Sequence, residues 1–279
     1  MPPTYPERYP IKLPFYFWIA GPPLLLIRLP LLLLFLILMA SVLVILGLIT
    51  KTTGLELKRS RKFLHHFSGS FCTLFVGARV KKNGTIPPAG SLMVSDHRSW
   101  MDAFIYLNDR AVTFIVTKDS SSWPIIGFLI RSLGNIYIDR ESVRDIKPII
   151  EGVEEKMAQG ESVIFFPEAT TIDGETEKSL PFKSSLFEAA VRLKKPVYCA
   201  ALEYESCRGW PRASRIIAWG DWTPFLVHVC RVLMMPWFTA RVHYLENTVE
   251  SGNRKEMAQK AQDEILKALA AMPGKSNTI

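Results

Sequence analysis

The sequence is poor in cysteine, and no two of its cysteines stand two residues apart. Four occur in 279 residues, at Cys72, Cys199, Cys207 and Cys230, and three of these lie inside apolar runs. A disulfide framework or a zinc site requires closely and regularly spaced cysteines. The pattern therefore favours reduced, buried thiols on the cytosolic side of a membrane.

The sequence also lacks the patterns of nucleic-acid-binding proteins. The formal net charge is +8, but the basic residues are spread along the chain, with no helix-turn-helix, zinc-finger or RNP-like motif. This distribution argues against nucleic acid as a partner and favours anionic lipid. No internal repeat, low-complexity segment or Gly-x-Ser-x-Gly nucleophile turn is present either.

Charge is almost absent from the N-terminal part of the chain. Residues 13–50 are nearly all apolar, and residues 29–49 carry no charge over 21 positions. As a helix these would extend about 31 Å, which is the thickness of a bilayer core. The run is too long for a signal peptide and no cleavage site follows it. We therefore expect one transmembrane helix, and only secondarily a buried helix of a soluble core. Residues 13–27 could precede it as an interfacial or re-entrant segment.

Basic residues follow the apolar run directly and predict its orientation. By the positive-inside rule they place the rest of the chain in the cytoplasm. The predicted organisation is thus a polar tail over residues 1–12, a membrane anchor over 13–50, and a cytoplasmic domain over 51–279 at the inner membrane. The basic residues are Lys51, Lys58, Arg59, Arg61 and Lys62.

After the anchor, strand-like and helix-like segments alternate. This rhythm predicts an α/β fold in which helices cover a mostly parallel sheet. Helices are expected over residues 100–107, 123–133, 146–157 and 253–272, and a core or interfacial helix over 225–237. Strands are expected over residues 75–80, 92–95, 112–116, 136–139, 162–166, 197–202, 215–219 and 238–244.

A polar stretch after the second predicted strand carries the strongest catalytic signal. His97 and Asp102 stand five residues apart, with a helix starting between them. If the chain folds back there, Asp102 can accept a hydrogen bond from one imidazole nitrogen and leave the other free as a general base. The alternative is that His97 caps the helix and Asp102 is a solvated acid of its first turn.

Two further stretches contain polar residues at predicted strand ends. One runs from Gly134 to Asp139 and Arg140, where a guanidinium could bind a phosphate, or form a surface ion pair with the acid. The other follows a buried strand with Phe-Pro-Glu-Ala-Thr, residues 166–170, and continues to Lys183 before a helix. A helix start beside a lysine suits an anionic head group, although an ordinary solvated loop has the same composition.

Taken together, these blocks resemble the lysophosphatidate acyltransferase family of membrane-bound glycerolipid acyltransferases. His97 and Asp102 match the family's His-x4-Asp block, residues 134–140 the second, 166–170 the third, and 196–202 loosely the fourth. A Lys…Trp-Pro-x-x-Gly segment is matched by Lys118, Trp123, Pro124 and Gly127.

The resemblance implies acyl transfer from an acyl thioester, acyl-CoA or acyl carrier protein, to the free hydroxyl of a lyso-phospholipid. The first expected acceptor is 1-acylglycerol-3-phosphate, and the alternative is another lyso-lipid such as lyso-ornithine lipid. His97 and Asp102 would be catalytic, no metal or bound cofactor is expected, and the partners are the bilayer, its anionic lipids and, for one donor, acyl carrier protein. The implied substrate-binding residues are Arg140, Glu168, Thr170, Lys183 and Gly134.

Three positions depart from the family pattern. Ala169 replaces a usual glycine, so we expect backbone angles that do not require glycine. Thr171 stands where many relatives carry an arginine associated with acceptor phosphate, and Asp96 replaces an asparagine without expected consequence. Two rival functions stay open at this point. One is a membrane-bound hydrolase that uses Ser95 or Ser99, and the other is a non-catalytic lipid-binding protein.

Overall fold

A computed structural model describes residues 13–55, 58–117, 126–138, 146–171, 180–219 and 223–272. Its helices are α1 Phe15–Thr53, α2 Lys58–Phe75, α3 Met101–Leu107, α4 Ile126–Ser132, α5 Lys147–Ala158, α6 Phe187–Leu193, α7 Ala213–Ile216, α8 Phe225–Leu233 and α9 Arg254–Ala271. Its strands are β1 Ala78–Asn83, β2 Leu92–Ser95, β3 Val112–Thr117, β4 Ile136–Ile138, β5 Ser162–Phe165, β6 Val197–Ser206 and β7 Phe238–Val249.

The strands form one sheet in the order β1-β7-β6-β2-β5-β3-β4. All neighbouring pairs are parallel except β6 and β7, so the predicted mostly parallel sheet is confirmed. Every residue of β2 and β5 is buried, as expected for strands covered by helices on both faces. Because β2 and β5 are parallel neighbours, the loops that follow them leave the same edge of the sheet side by side.

The two faces of the sheet are covered by different helices. Alternate strand residues, such as Leu92 and Val94, join a core cluster with side chains of α5, α6 and α9. Met93, which points the other way, packs with Ile105 and Tyr106 of α3. Helix α2 lies outside α3, so closely that a Cβ on Gly69 would lie 2.5 Å from the Leu107 backbone.

The apolar N-terminal run forms a single continuous helix of 39 residues, with no break at Pro22, Pro23 or Pro30. The second segment considered for residues 13–27 is therefore part of α1. Helix α1 is long and apolar enough to cross a membrane. Only 22% of the residues in its most apolar stretch are buried within the protein. One face packs on α2, where the rings of Phe35 and Phe71 stack at 3.9 Å, while many other apolar side chains, such as Leu38 and Ile45, are exposed.

Arg28 of α1 makes hydrogen bonds to the globular part of the chain. The Arg28 guanidinium donates hydrogen bonds to the carbonyls of Leu233, Met235 and Pro236, at and just beyond the C-terminal end of α8. A helix ends with unpaired carbonyls and a partial negative charge, so a guanidinium is a well-matched partner. The contact places α1 beside α8 rather than on a separate stalk.

Some predicted elements need correction. The strand expected over residues 215–219 is wrong, because the chain there forms the short helix α7 followed by a loop. Its apolar residues Ile216, Ile217 and Ala218 are buried, and such a short buried run fits a helical turn as well as a strand. Strand β1 begins at Ala78 because α2 continues through Phe75.

The four cysteines are free, as predicted. Cys72, Cys199 and Cys207 are buried and Cys230 is partly buried. Burial raises the pKa of the Cys72 and Cys199 thiols to about 12, so both stay protonated and unreactive.

Candidate active site

The predicted His-Asp pair is formed at the carboxyl end of β2. His97 lies in the loop after Ser95, and Asp102 lies in the first turn of α3. The distance between His97 Nδ1 and Asp102 Oδ2 is 2.8 Å. Asp102 is fully buried and the His97 side chain is 23% exposed. The chain therefore folds back as expected, and the alternative of a solvated first-turn acid is wrong.

The Asp102 carboxylate is held by several donors. The backbone N–H groups of Arg98 and Ser99 donate to Oδ2 at 2.7 and 3.0 Å, and the Tyr204 hydroxyl donates to Oδ1 at 2.6 Å. Because a carboxylate can only accept, Nδ1 of His97 carries the proton in this pair. Nε2 of His97 then keeps its lone pair, and no described residue bonds to it, so it is free to act as a base.

The loop after β5 holds His97 from two sides. The rings of Phe166 and His97 stack with centroids 4.2 Å apart, and Oε2 of Glu168 accepts the backbone N–H of His97 at 2.7 Å. Glu168 is only 2% exposed. In this structure Glu168 therefore joins the two loops, and its predicted contact with the acceptor head group stays a prediction.

The residues beside His97 form an ion pair that the sequence did not reveal. Asp96 is fully buried, its Oδ2 accepts from Arg98 Nε at 2.6 Å, and its Oδ1 accepts the Leu202 N–H at 2.9 Å. Burial raises the pKa of Asp96, and the Arg98 guanidinium opposes that rise. The interpretation of Asp96 as inconsequential is wrong, because the carboxylate depends on Arg98 for compensation.

Ala169 adopts the left-handed conformation, with φ of 57°. The expectation that this loop avoids glycine-type backbone angles is therefore wrong. Alanine tolerates the left-handed region at a cost of roughly 1–2 kcal/mol. The conformation follows directly on Glu168 and forms part of the turn that brings its carboxylate to His97.

Three of the other predicted substrate-binding residues lie within the described part of the chain. Thr170 is partly buried in the turn after Glu168, and exposed Lys183 donates its backbone N–H to Pro167 O at 2.9 Å, which brings it beside the same turn. Gly134 has φ of 74° two residues after the end of α4, a helix-ending conformation. It precedes β4, which is parallel to β3, β5 and β2, so the structure does not bring it to the sheet edge where His97 lies. Arg140, with Lys118, Trp123 and Pro124, lies outside the described residues.

A loop after α7, which the sequence did not indicate, joins the two motif loops. The backbone N–H of Trp219 donates to Arg98 O at 2.8 Å, and its carbonyl accepts from the Thr171 hydroxyl. Thr171 therefore links the turn after β5 to the loop after α7.

The serines of the rival hydrolase are not placed as nucleophiles. Ser95 and Ser99 are 1% and 0% exposed. Ser95 Oγ accepts from Tyr106 at 2.6 Å, and Ser99 Oγ accepts from the Met101 N–H at 3.4 Å. Neither hydroxyl bonds to His97, so the geometry lacks the nucleophile–base contact that such a mechanism needs.

Comparison with known proteins decides the family. The Acyltransferase family model matches residues 78–203. The chain is 31% identical over 229 residues to a lyso-ornithine lipid O-acyltransferase of Rhizobium meliloti, covering 77% of each protein. The chain belongs to the lysophosphatidate acyltransferase family.

Two further similarities agree with this assignment. The acyltransferase is 29% identical over 221 residues to the 1-acyl-sn-glycerol-3-phosphate acyltransferase of Neisseria gonorrhoeae, covering 78% of this chain and 84% of that one. The crystal structure of the 1-acyl-sn-glycerophosphate (LPA) acyltransferase of Thermotoga maritima superimposes with a TM-score of 0.66 at 18% identity, covering 93% of this chain and 100% of that one. The latter shows a shared fold.

In this O-acyltransferase the geometry supplies a base and the residue that orients it.

The described residues contain no group of three or more histidine, cysteine, aspartate or glutamate side chains that could hold a metal ion. His228 is fully buried, accepts from Trp100 Nε1 at 3.0 Å, and lies 3.1 Å from Ala218 O through Nε2.

Proposed function

We propose that this enzyme transfers a fatty acyl group from an acyl thioester to the free hydroxyl of a lyso-phospholipid. The first expected acceptor is 1-acylglycerol-3-phosphate, which would yield phosphatidic acid. The observation that carries the proposal is the His97 Nδ1–Asp102 Oδ2 hydrogen bond of 2.8 Å beside a partly exposed imidazole whose Nε2 is free. Such a base suits an alcohol acceptor, which must lose a proton as it attacks.

The proposed reaction needs only these two side chains and the substrates. His97 Nε2 takes the proton of the acceptor hydroxyl as its oxygen attacks the thioester carbonyl. The carbon–sulfur bond breaks, the thiolate takes the proton back from His97, and an ester remains. Asp102 keeps the imidazole in the required tautomer and stabilises its protonated form. Because a thiolate leaves readily, no covalent enzyme intermediate and no cofactor are required.

The acceptor head group is proposed to bind beside the turn after β5. Lys183 is exposed, and its backbone bonds to Pro167 of that turn, which places a cationic side chain near the loops of the His97 site. A compact ammonium suits a phosphate. Arg140, Thr170 and Glu168 complete the proposed acceptor site from the family resemblance.

A second acceptor is supported by one structural observation. The Thr171 hydroxyl is bonded to the Trp219 carbonyl and is therefore used within the protein. A Rhizobium meliloti relative is named a lyso-ornithine lipid O-acyltransferase, so a zwitterionic lyso-lipid is the alternative substrate.

We further propose that α1 holds the active site at the cytoplasmic face of the inner membrane. Its exposed side chains include Leu34, Leu38, Ile45 and Leu48, each more than half exposed. Burial of such side chains in lipid is favourable at roughly 25 cal/mol per Å². Basic residues after the helix would contact anionic head groups and set the orientation.

The acceptor is tested by competition between lyso-lipids. Purified enzyme in mixed micelles is supplied with long-chain acyl-CoA or acyl carrier protein, and with lysophosphatidate or lyso-ornithine lipid. Preference for lysophosphatidate supports the first acceptor, and turnover with lyso-ornithine lipid alone supports the second. Lys183→Ala should raise KM for lysophosphatidate about tenfold, the equivalent of one charge-assisted hydrogen bond. Lys195→Ala, at an exposed lysine just before β6, is the matched control.

A further inference from the structure

Tyr204 contacts Asp102 of the catalytic pair from β6, at a position beyond the strand predicted over residues 197–202. Strand β6 extends beyond β2, since Ser95 at the end of β2 pairs with Ala200. Tyr204 lies four residues further along β6, and its hydroxyl donates to Asp102 Oδ1 at 2.6 Å. That separation is typical of a strong hydrogen bond between a hydroxyl and a carboxylate.

The surroundings of Tyr204 keep its hydroxyl a donor. Its ring packs edge-on against Phe238 of β7, with centroids 5.8 Å apart and planes at 71°. Desolvation, and then the adjacent Asp102 carboxylate, raise the pKa of Tyr204 well above the usual range for a phenol. The phenol therefore stays protonated through the pH range in which the enzyme would work.

The two oxygens of Asp102 have separate partners. Oδ1 accepts from Tyr204, while Oδ2 accepts from His97 and from two backbone N–H groups. A carboxylate held at both oxygens cannot rotate about its Cβ–Cγ bond without breaking a strong contact. Tyr204 therefore fixes the plane of the carboxylate that His97 requires.

We propose that Tyr204 is a positioning residue that acts through Asp102 to orient His97 and to moderate the charge that faces the imidazole. The inference rests on the proposed function, in which His97 is the base.

Removing this hydroxyl should change both the rate and its pH dependence. In Tyr204→Phe the carboxylate is held at Oδ2 alone. We therefore expect kcat to fall about tenfold with KM values changed less than twofold, the loss of one hydrogen bond to a charged group. Without the Tyr204 hydrogen bond, the Asp102 carboxylate would also present more negative charge to His97 and would stabilise the protonated imidazole more strongly. The acid limb of the kcat/KM profile should therefore move to higher pH.

The other groups around the pair remain constant in this comparison. They come from the loop after β2, from the turn after β5 and from α3, and none is altered by the substitution. These groups are Asp96, Arg98, Glu168 and Tyr106. A movement of the acid limb can therefore be assigned to the lost Tyr204 hydroxyl.

Tyr106→Phe is the matched control, since it removes a buried hydroxyl bonded at 2.6 Å to Ser95 and not to the pair. Thermal melting of both variants gives the loss of stability. The proposal is supported if only Tyr204→Phe moves the acid limb. It is overturned if Tyr204→Phe has the wild-type profile, or if both variants lose activity only in proportion to stability. Should His97→Ala keep wild-type activity, the proposed function itself fails, which is a distinct outcome.

Discussion

Asp96 and Arg98 form an ion pair of 2.6 Å on either side of His97 in the sequence, with the Asp96 carboxylate fully buried. The loop that carries the base is thus held by an internal charge pair, by Glu168 and by the contacts of Asp102. A loop fixed in this way can keep the imidazole in place before substrate binds, which reduces the ordering required in the transition state.

Loss of Arg98 alone should lower the free energy of unfolding more than loss of both Arg98 and the Asp96 charge. Arg98→Met leaves the buried Asp96 carboxylate unpaired, and we expect the free energy of unfolding to fall by about 3 kcal/mol. Adding Asp96→Asn should recover more than half of this loss, since an amide oxygen still accepts the Leu202 N–H. Denaturant unfolding of the two single variants and the double variant measures the coupling. Additive losses would show that the pair does not interact.

Replacing Ala169 with glycine should stabilise the fold. Alanine at φ of 57° is destabilised by steric contacts of its Cβ in the left-handed region. Glycine has no such contacts and is destabilised by a smaller amount, because it loses more conformational entropy on folding. We expect a net gain of about 0.5–1 kcal/mol and a higher melting temperature, with activity retained. The control is Ala268→Gly in α9, where glycine should destabilise. A lower melting temperature for Ala169→Gly would contradict this explanation.

His65 should make stability depend on mildly acid pH. Burial lowers the pKa of His65 to about 4, whereas an unfolded histidine titrates near 6.5. Between these values the unfolded chain binds a proton that the folded chain does not. Stability is therefore lost as pH falls through 6.5 toward 4, by up to about 3 kcal/mol.

Thermal melting of wild type and His65→Gln across this pH range measures the effect. The variant should show a flatter dependence, and the partly exposed His243→Gln should retain the wild-type dependence. If His65→Gln melts with the same pH dependence as wild type, another group is responsible.

Arg28 should be required for the attachment of α1. Its three acceptors are main-chain carbonyls, so Arg28→Met removes charge-assisted hydrogen bonds and should cost roughly 2–4 kcal/mol. Arg28→Lys retains the charge but not the several N–H donors of the guanidinium. Its melting temperature should therefore lie between those of wild type and Arg28→Met. Thermal melting in detergent ranks the three proteins. Equal melting temperatures would mean that the other contacts of α1 are sufficient to hold it.

The sequence predicted the parts of the site that are local along the chain. His97 and Asp102 lie within one loop and one helical turn, so their spacing was enough to indicate the pair. Tyr204 stands 102 residues from Asp102, and its contact depends on how far β6 extends past β2. The pairing register of β6 with β2 cannot be read from a local sequence pattern.

Other errors came from treating preferences as rules. Glycine is preferred where φ is positive, yet Ala169 adopts such an angle because the surrounding turn compensates for the cost. The buried run at Ile216 and Ile217 was interpreted as a strand, since a short apolar run does not distinguish a strand from a helical turn. The sheet was predicted well because its buried strands and intervening helices have strong and distinct patterns.

The central claim is that His97 is the base of an acyl transfer to a lyso-lipid. It is tested most directly by thiol release from long-chain acyl-CoA in purified membranes, with lysophosphatidate present or absent, for wild type and His97→Ala at equal protein. The account predicts release that requires the lyso-lipid and falls by about 10²–10⁴-fold in the variant. Undiminished release by His97→Ala, or release by wild type without any acceptor, would contradict it.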